Sequence, residues 1–234
     1  MAHINSLENG VAAKDYTEII VVRHGETPWN CDGRIQGHLD VELNDVGRQQ
    51  AVAVADRLAN ESEISAIYSS DLKRARETAQ IIASKCNVLE VTEDPDLRER
   101  HLGELQGLVY REAAKLKPDA FKATLPLSRT DQEIPGGGES LDQVYNRCTI
   151  SLQKIGRNHK GQRVVVVTHG GVVRAFHKYA APKEESPGKI RNASINIFHI
   201  DGDDNCTLTT WGDISHLSDT GFLESAFGGD GNSG

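Results

Sequence analysis

Three stretches of this chain close an apolar run with groups able to bind or attack an anion. "VVRHGETPWN" places Arg23 and His24 directly after "TEIIVV". "SSDLKRARETA" follows "SAIYSS" with Ser69, Ser70 and, one helical turn on, Arg74 and Arg76. "VVVTHGGVVRA" delivers His169 and then Gly170 and Gly171. Taken singly, a histidine after a strand reads as a solvated turn residue, and Arg74, Arg76 and Lys73 as one solvated helix face. The shared placement changes that reading, because independent bland causes would have to coincide. Guanidinium groups, imidazoles and N–H donors gathered at one mouth are what a phosphate dianion requires.

Positioning such groups takes a sheet. "TEIIVV" and "RVVVVTH" (163–169) are continuous apolar runs, expected for central parallel strands covered on both faces. "SAIYSS" (65–70) and "NVLEV" (87–91) also read as strands. Between them lie helical patterns: Asn44 as N-cap of "NDVGRQQAVAVADRLA", Asp71 as N-cap of "DLKRARETAQIIASK", and Ser140 leading into "SLDQVYNRCTISLQKI". "SINIFHI" and "TLTTW", joined by "DGDDN", predict a late antiparallel hairpin. The sum is a three-layer αβα sandwich whose mostly parallel central sheet has an antiparallel edge. In such sheets ligands bind beyond the carboxyl ends of the strands, where the three stretches fall.

Composition narrows the partners. A net charge of -8 and a pI near 5.6 exclude general nucleic-acid binding, which needs basic surface. Cys31, Cys86, Cys148 and Cys206 lie far apart without a C-x-x-C pair, against a zinc ribbon or a disulfide scaffold and for a reducing compartment. "MAHINSLENGVAAKDY" lacks the apolar core of a signal peptide, and no apolar run is long enough to span a bilayer, so the expected setting is cytoplasmic. A single domain over 15–217 is expected, with residues 1–14 and 218–234 as flexible termini.

"RHGETPWN", "GRIQG", "LNDVGRQQA", "SSDLKRARETA", "LRERHLGELQG", "PGGGES" and "VVVTHGGVVRA", in this order and followed by "WGDISHL", resemble the histidine phosphatase superfamily, which includes the cofactor-dependent phosphoglycerate mutases. The resemblance runs from about Ile19 to Leu217 and implies a phosphoglycerate mutase-like fold. It further implies that His24 accepts the phosphoryl group, that Arg23, Arg74 and His169 enclose it, that Asn30 completes the cradle, and that Glu99 is the general acid/base. Gly25, Thr27, Gln36, Gly37, Arg76, Arg100, His101 and Gly170 match positions that border the substrate in relatives.

On that resemblance the expected reaction is phosphomonoester hydrolysis in two steps. Neutral His24 attacks phosphorus while Glu99 gives a proton to the leaving alkoxide; water then attacks the phosphohistidine with Glu99 as base. The arginines favour the neutral imidazole and stabilise the equatorial oxygens, and a protonated His169 would add a further charge-assisted bond. The implied partner is a small phosphorylated metabolite, with no metal, cofactor, nucleic acid or membrane; a homodimer is left open.

The rivals are a metallophosphatase ligated by His24, His101 and His169, an inactive module that binds phosphorylated ligands, and a phosphoglycerate mutase using the same phosphohistidine. Flanking arginines oppose a divalent ion, and H-x-x-x-H or D-x-H spacings are missing. Retention of His24 and Glu99 opposes the inactive module. Residues 108–135 contain Arg111 and Arg129 but no adjacent arginine pair, resembling the shorter phosphatase form of this segment, whereas "ERHLGELQG" is close to the mutase form. The same segment is expected to fold as a short helix pair over the strand ends and to carry substrate choice.

Overall fold

The computed structural model describes residues 14–125, 129–185 and 188–220. Apart from Lys14 and the backbone of 218–220, the termini expected to be flexible lie outside these residues. One six-stranded sheet runs in the order β3-β2-β4-β1-β5-β6. Strands β1 (Tyr16–Arg23), β2 (Ala66–Ser69), β3 (Val91–Glu93) and β4 (Arg163–Thr168) are mutually parallel. β5 (Ile195–Asp201) pairs antiparallel with β1, and β6 (Cys206–Asp213) antiparallel with β5. The αβα sandwich with an antiparallel edge is therefore observed.

The apolar runs of β1 and β4 are continuous because each strand is buried on both faces. Ile20, Val22, Val165 and Val167 point to one side and pack on α2 (Asp45–Ala59) and α3 (Lys73–Lys85) through Val54, Leu58, Ala79 and Ile82. Their alternates, Ile19, Val21, Val164 and Val166, meet Leu152 and Ile155 of α6 (Leu141–Asn158) and Val173 and Phe176 of α7 (Gly170–Ala180). All eight strand residues are fully buried, and each such side chain contributes roughly 1.5–3 kcal/mol relative to exposure. That rigidity fixes where β1 and β4 end.

Asn44 and Ser140 cap their helices as expected, Ser140 with a full capping box to Gln143. Two expectations fail. Asp71 does not cap α3: its carboxylate takes both Nε and Nη2 of Arg98, a charge-assisted pair, while the Lys73 amide donates to Asp40 Oδ1 at 2.7 Å. The cap comes from another loop. The strand expected at 87–91 starts only at Val91, because Asn87 adopts a left-handed φ of 56° to end α3 and Leu89 is fully exposed with nothing to pack against.

Five elements were not named from sequence: the turn α1 (Pro28–Cys31), α7, and three short 3-10 helices at Pro95–Leu97, Gly103–Leu105 and Ser215–Thr220. The helix pair expected within 108–135 is α4 (Tyr110–Leu116) and α5 (Pro118–Lys122). Its Ala113 and Ala120 join Ile35, Leu102, Leu105 and Ile134 in a third apolar cluster, and an Arg34–Val109 bridge ties it to the loop after α1.

Candidate active site

The carboxyl ends of β1, β2 and β4 converge. The His24 amide donates to Thr168 O at 2.9 Å, extending the β1–β4 ladder by one residue before the chain turns away. Gly25 then passes so near the start of α2 that a Cβ there would stand 2.3 Å from Gly47 O. Only glycine fits. The loop is pinned further by Gly25 N to Thr78 Oγ1 at 3.1 Å and Glu26 N to Gln50 Oε1 at 2.9 Å.

His24 Nδ1 lies 2.7 Å from Gly25 O. A carbonyl only accepts, so Nδ1 carries the proton and Nε2 keeps the lone pair. The rings of His24 and His169 stand 5.2 Å apart, tilted by 56°. Burial first, then the Arg74 and Arg23 guanidinium groups, hold His24 well below the ordinary histidine pKa. Burial and Arg74, followed by His24 itself, do the same to His169. Both imidazoles are thus neutral near pH 7 in the free protein. The extra charge a protonated His169 would bring is not there before an anion binds.

Arg74, on the first turn of α3, gives Nη1 to Leu39 O at 3.0 Å and Nη2 to Gly37 O at 2.7 Å. Among the described residues its Nε is buried without a partner, as are His169 Nδ1 and Arg100 Nη2. The two unpaired guanidinium donors are costly, about 1–3 kcal/mol each, and an anion would supply the missing acceptors. Burial pushes Arg74 down to about 10, which leaves it charged at neutral pH. Arg23 Nη1 donates to Ile190 O at 2.5 Å.

Glu99 is buried at the start of α7. Its carboxylate accepts from the Gly171 amide at 3.2 Å on both oxygens and from the Arg100 amide at 2.8 Å. Gly170 is the first residue of that helix and His169 its N-cap. Thr27 and Asn30 form the capping box of α1; Thr27 Oγ1 lies 3.0 Å from both Asn30 Oδ1 and Gln36 Oε1, alternative acceptors for one proton. Arg100 is buried, with Nε on Glu139 O at 2.9 Å. His101 stacks edge-on against His38 at 4.9 Å and accepts the Gly103 amide.

Arg76 is set apart. Its side chain is 39 % exposed and faces Glu93 at 3.7 Å. Two residues from Arg74 on a helix is about 200° of rotation, so the two arginines cannot share a face. Among the described residues no group of three or more His, Cys, Asp or Glu side chains could hold a metal ion. His101 of the supposed metal triad pairs instead with His38 and Gln106.

Ser70, expected at the end of β2, brings its Oγ to His169 Nε2 at 2.8 Å. Other residues at the site were not anticipated. Asn192 Nδ2 donates to His24 O at 3.0 Å, to Gly25 O and to Asn30 Oδ1, and Ala193, held at φ 56°, gives its amide to Arg23 O and His24 O. Nothing in "IRNAS" announces this, since the contact spans 168 residues.

The family model described as histidine phosphatase superfamily (branch 1) matches residues 19–214. The chain is 62 % identical, over 94 % of its length and 95 % of the relative's, to phosphoglycerate mutase-like protein 4 of Arabidopsis thaliana. It is 51 % identical to the metal-independent phosphoserine phosphatase of the same plant, over 92 % and 90 % of the two chains. The solved structure of Bacillus stearothermophilus YhfR superposes with a TM-score of 0.76 at 33 % identity, covering 86 % of this chain and 99 % of that one.

Proposed function

Because the chain belongs to the histidine phosphatase superfamily, branch 1, we propose that it is a metal-independent phosphomonoesterase acting on a small phosphorylated metabolite through a phosphohistidine at His24. The observation that carries this is the tautomer of His24: with Nδ1–H committed to Gly25 O, its free lone pair is on Nε2, beside His169 and two buried arginines. Neutrality of the ring, imposed by burial and by those arginines, is what a nucleophile at pH 7 needs.

Nε2 attacks phosphorus in line as the ester P–O bond breaks. Arg23, Arg74, His169 and Asn30 receive the equatorial charge, where preorganised donors act without reorganisation. Glu99 delivers its proton to the leaving oxygen, and in the second step takes one from the water that breaks the P–N bond. Gly25, Thr27, Gln36, Gly37, Arg100, His101 and Gly170 complete the surround, through the loop contacts described above. Arg76 takes no part.

The phosphoserine phosphatase relative makes phosphoserine the first substrate to try. The acting unit is one domain over 15–217, in a cytoplasmic setting. Among the described residues no helix is long and apolar enough to cross a membrane. A homodimer is compatible with this reading, and the net charge of -8 argues against general nucleic-acid binding. A second reading, phosphoglycerate mutase, is favoured by "ERHLGELQG". Against it, Arg129 is exposed and paired with Asp131, leaving no arginine pair in that segment.

Phosphate release from phosphoserine and phosphoglycerates, with and without EDTA and bisphosphoglycerate, tests both. Hydrolysis that survives chelation is expected. Activity abolished by EDTA, or isomerisation that depends on the bisphosphate and outpaces hydrolysis, would overturn the phosphatase reading.

A further inference from the structure

Glu99 follows the 3-10 helix Pro95–Leu97, whose end leaves carbonyls pointing outward that need donors from elsewhere. Arg147, on α6, supplies them. Its Nη1 donates to Asp96 O at 2.7 Å and Arg98 O at 2.8 Å, and its Nη2 to Glu99 O at 2.9 Å. The remaining Nη2 proton and Nε go to the two carboxylate oxygens of Glu139, at 2.9 and 2.7 Å. All five guanidinium donors are used. The Glu139 carboxylate also accepts the His101 amide at 2.8 Å, its carbonyl accepts Arg100 Nε, and its amide donates to His101 O. His38 Nε2 makes a second bond to Glu99 O, at 2.6 Å. The backbone on both sides of Glu99 is therefore clamped by one ion pair, between Arg147 of α6 and Glu139 just before it, for which no hydrogen bond to His24, Arg23 or Arg74 is seen among the described residues.

We propose that Arg147 and Glu139 are positioning residues for Glu99, fixing the Asp96–His101 backbone so that its carboxyl is presented to the leaving oxygen and to the attacking water. This rests on the phosphohistidine reading above. The clamp is suited to the task because proton transfer demands hydrogen-bond reach, and a displacement of about 1 Å can cost on the order of 10²-fold. A side chain that merely braced the fold would not need to meet three carbonyls around the acid/base.

A fold-bracing role and a positioning role differ in how they depend on the leaving group. Rapid-quench measurement of phosphoenzyme formation and decay is made for wild type, Arg147→Met, Arg147→Lys and Glu139→Gln, with phosphoserine and with dinitrophenyl phosphate, whose leaving group needs no proton. For Arg147→Met the expectation is a loss of roughly 10 to 100-fold in phosphorylation by phosphoserine and in phosphoenzyme decay, with phosphorylation by dinitrophenyl phosphate within about threefold of wild type. Lysine, with one point charge in place of a planar fork, should restore only part of it.

Equal losses on both substrates would mean that the phosphate pocket itself had collapsed and would overturn the proposal, as would no loss at all. If Arg147→Met does not fold, Glu139→Gln carries the same comparison, since it keeps the side-chain shape while removing the charge and turning one accepting oxygen into a donor that Arg147 cannot bond. Failure of the parent reading is distinguishable, because wild type would then form no acid-labile phosphoenzyme before any variant is made.

Discussion

His24 and Gly25 are joined by a hydrogen bond between adjacent residues, Nδ1–H to carbonyl at 2.7 Å, and this bond chooses which ring nitrogen can react. Asn192, just before the neighbouring strand β5, holds the same Gly25 carbonyl and that of His24. The reactive tautomer is thus set by the backbone, and the backbone by a residue far along the chain.

Replacing His24 by alanine should abolish turnover and acid-labile phosphoenzyme together. Phosphohistidine detected by acid-quench labelling in that variant, or substantial residual hydrolysis, would move the nucleophile elsewhere.

Glu99→Gln should retain the contacts to the Gly171 and Arg100 amides through its amide oxygen but lose proton transfer. The loss for poor leaving groups should be about 10² to 10⁴-fold, and smaller for phosphorylation by aryl esters. A uniform loss across leaving groups points to a structural role.

Arg74→Lys keeps a charge, but a single ammonium nitrogen cannot stand at the separate positions from which Nη1 and Nη2 bond Leu39 O and Gly37 O and from which a further donor would face phosphate. We expect kcat/KM to fall by roughly 10 to 150-fold, the equivalent of about 1.5–3 kcal/mol for a charge-assisted bond. Inorganic phosphate inhibiting variant and wild type equally would remove Arg74 from the pocket.

Gly25→Ala puts a Cβ against the Gly47 carbonyl, and backbone cannot yield as a flexible side chain can. A destabilisation of about 1–3 kcal/mol is expected, with a loss of activity beyond it because the displaced loop carries His24. Denaturant midpoints and steady-state rates on the same preparation check both; an unshifted midpoint contradicts the close approach.

His24 and His169 stay neutral in the folded protein below the pH at which the unfolded chain protonates them, about 6.5. Their folded-state values are depressed, so the unfolded state binds more protons and stability falls as pH drops below that point. Each such group contributes a slope of up to about 1.4 kcal/mol per pH unit. Urea unfolding of wild type and His169→Gln between pH 7 and 5 should show a shallower decline in the variant. Parallel curves would mean His169 protonates freely in the native state.

The sequence determined the sheet and the groups at its strand ends. Runs such as Ile19–Val22 and Val164–Val167 read as strands buried on both sides, and the residues directly after each run emerge at the carboxyl edge; Arg23, His24 and His169 were legible for that reason, and Arg74 because it opens the helix that follows β2. At Asp71 a local rule gave way, because a bidentate ion pair with Arg98 outcompeted a cap; at Arg76 the local rule held, because helical rotation turns it from Arg74 towards Glu93. Only the tertiary structure decided that Asn192, Arg147 and Glu139 serve the site and that Ser70, legible as a strand-end hydroxyl, partners His169. Their hydrogen bonds close between segments brought together by burial of the sheet's two faces, and a bond between residues distant in the chain leaves no periodicity or spacing to read.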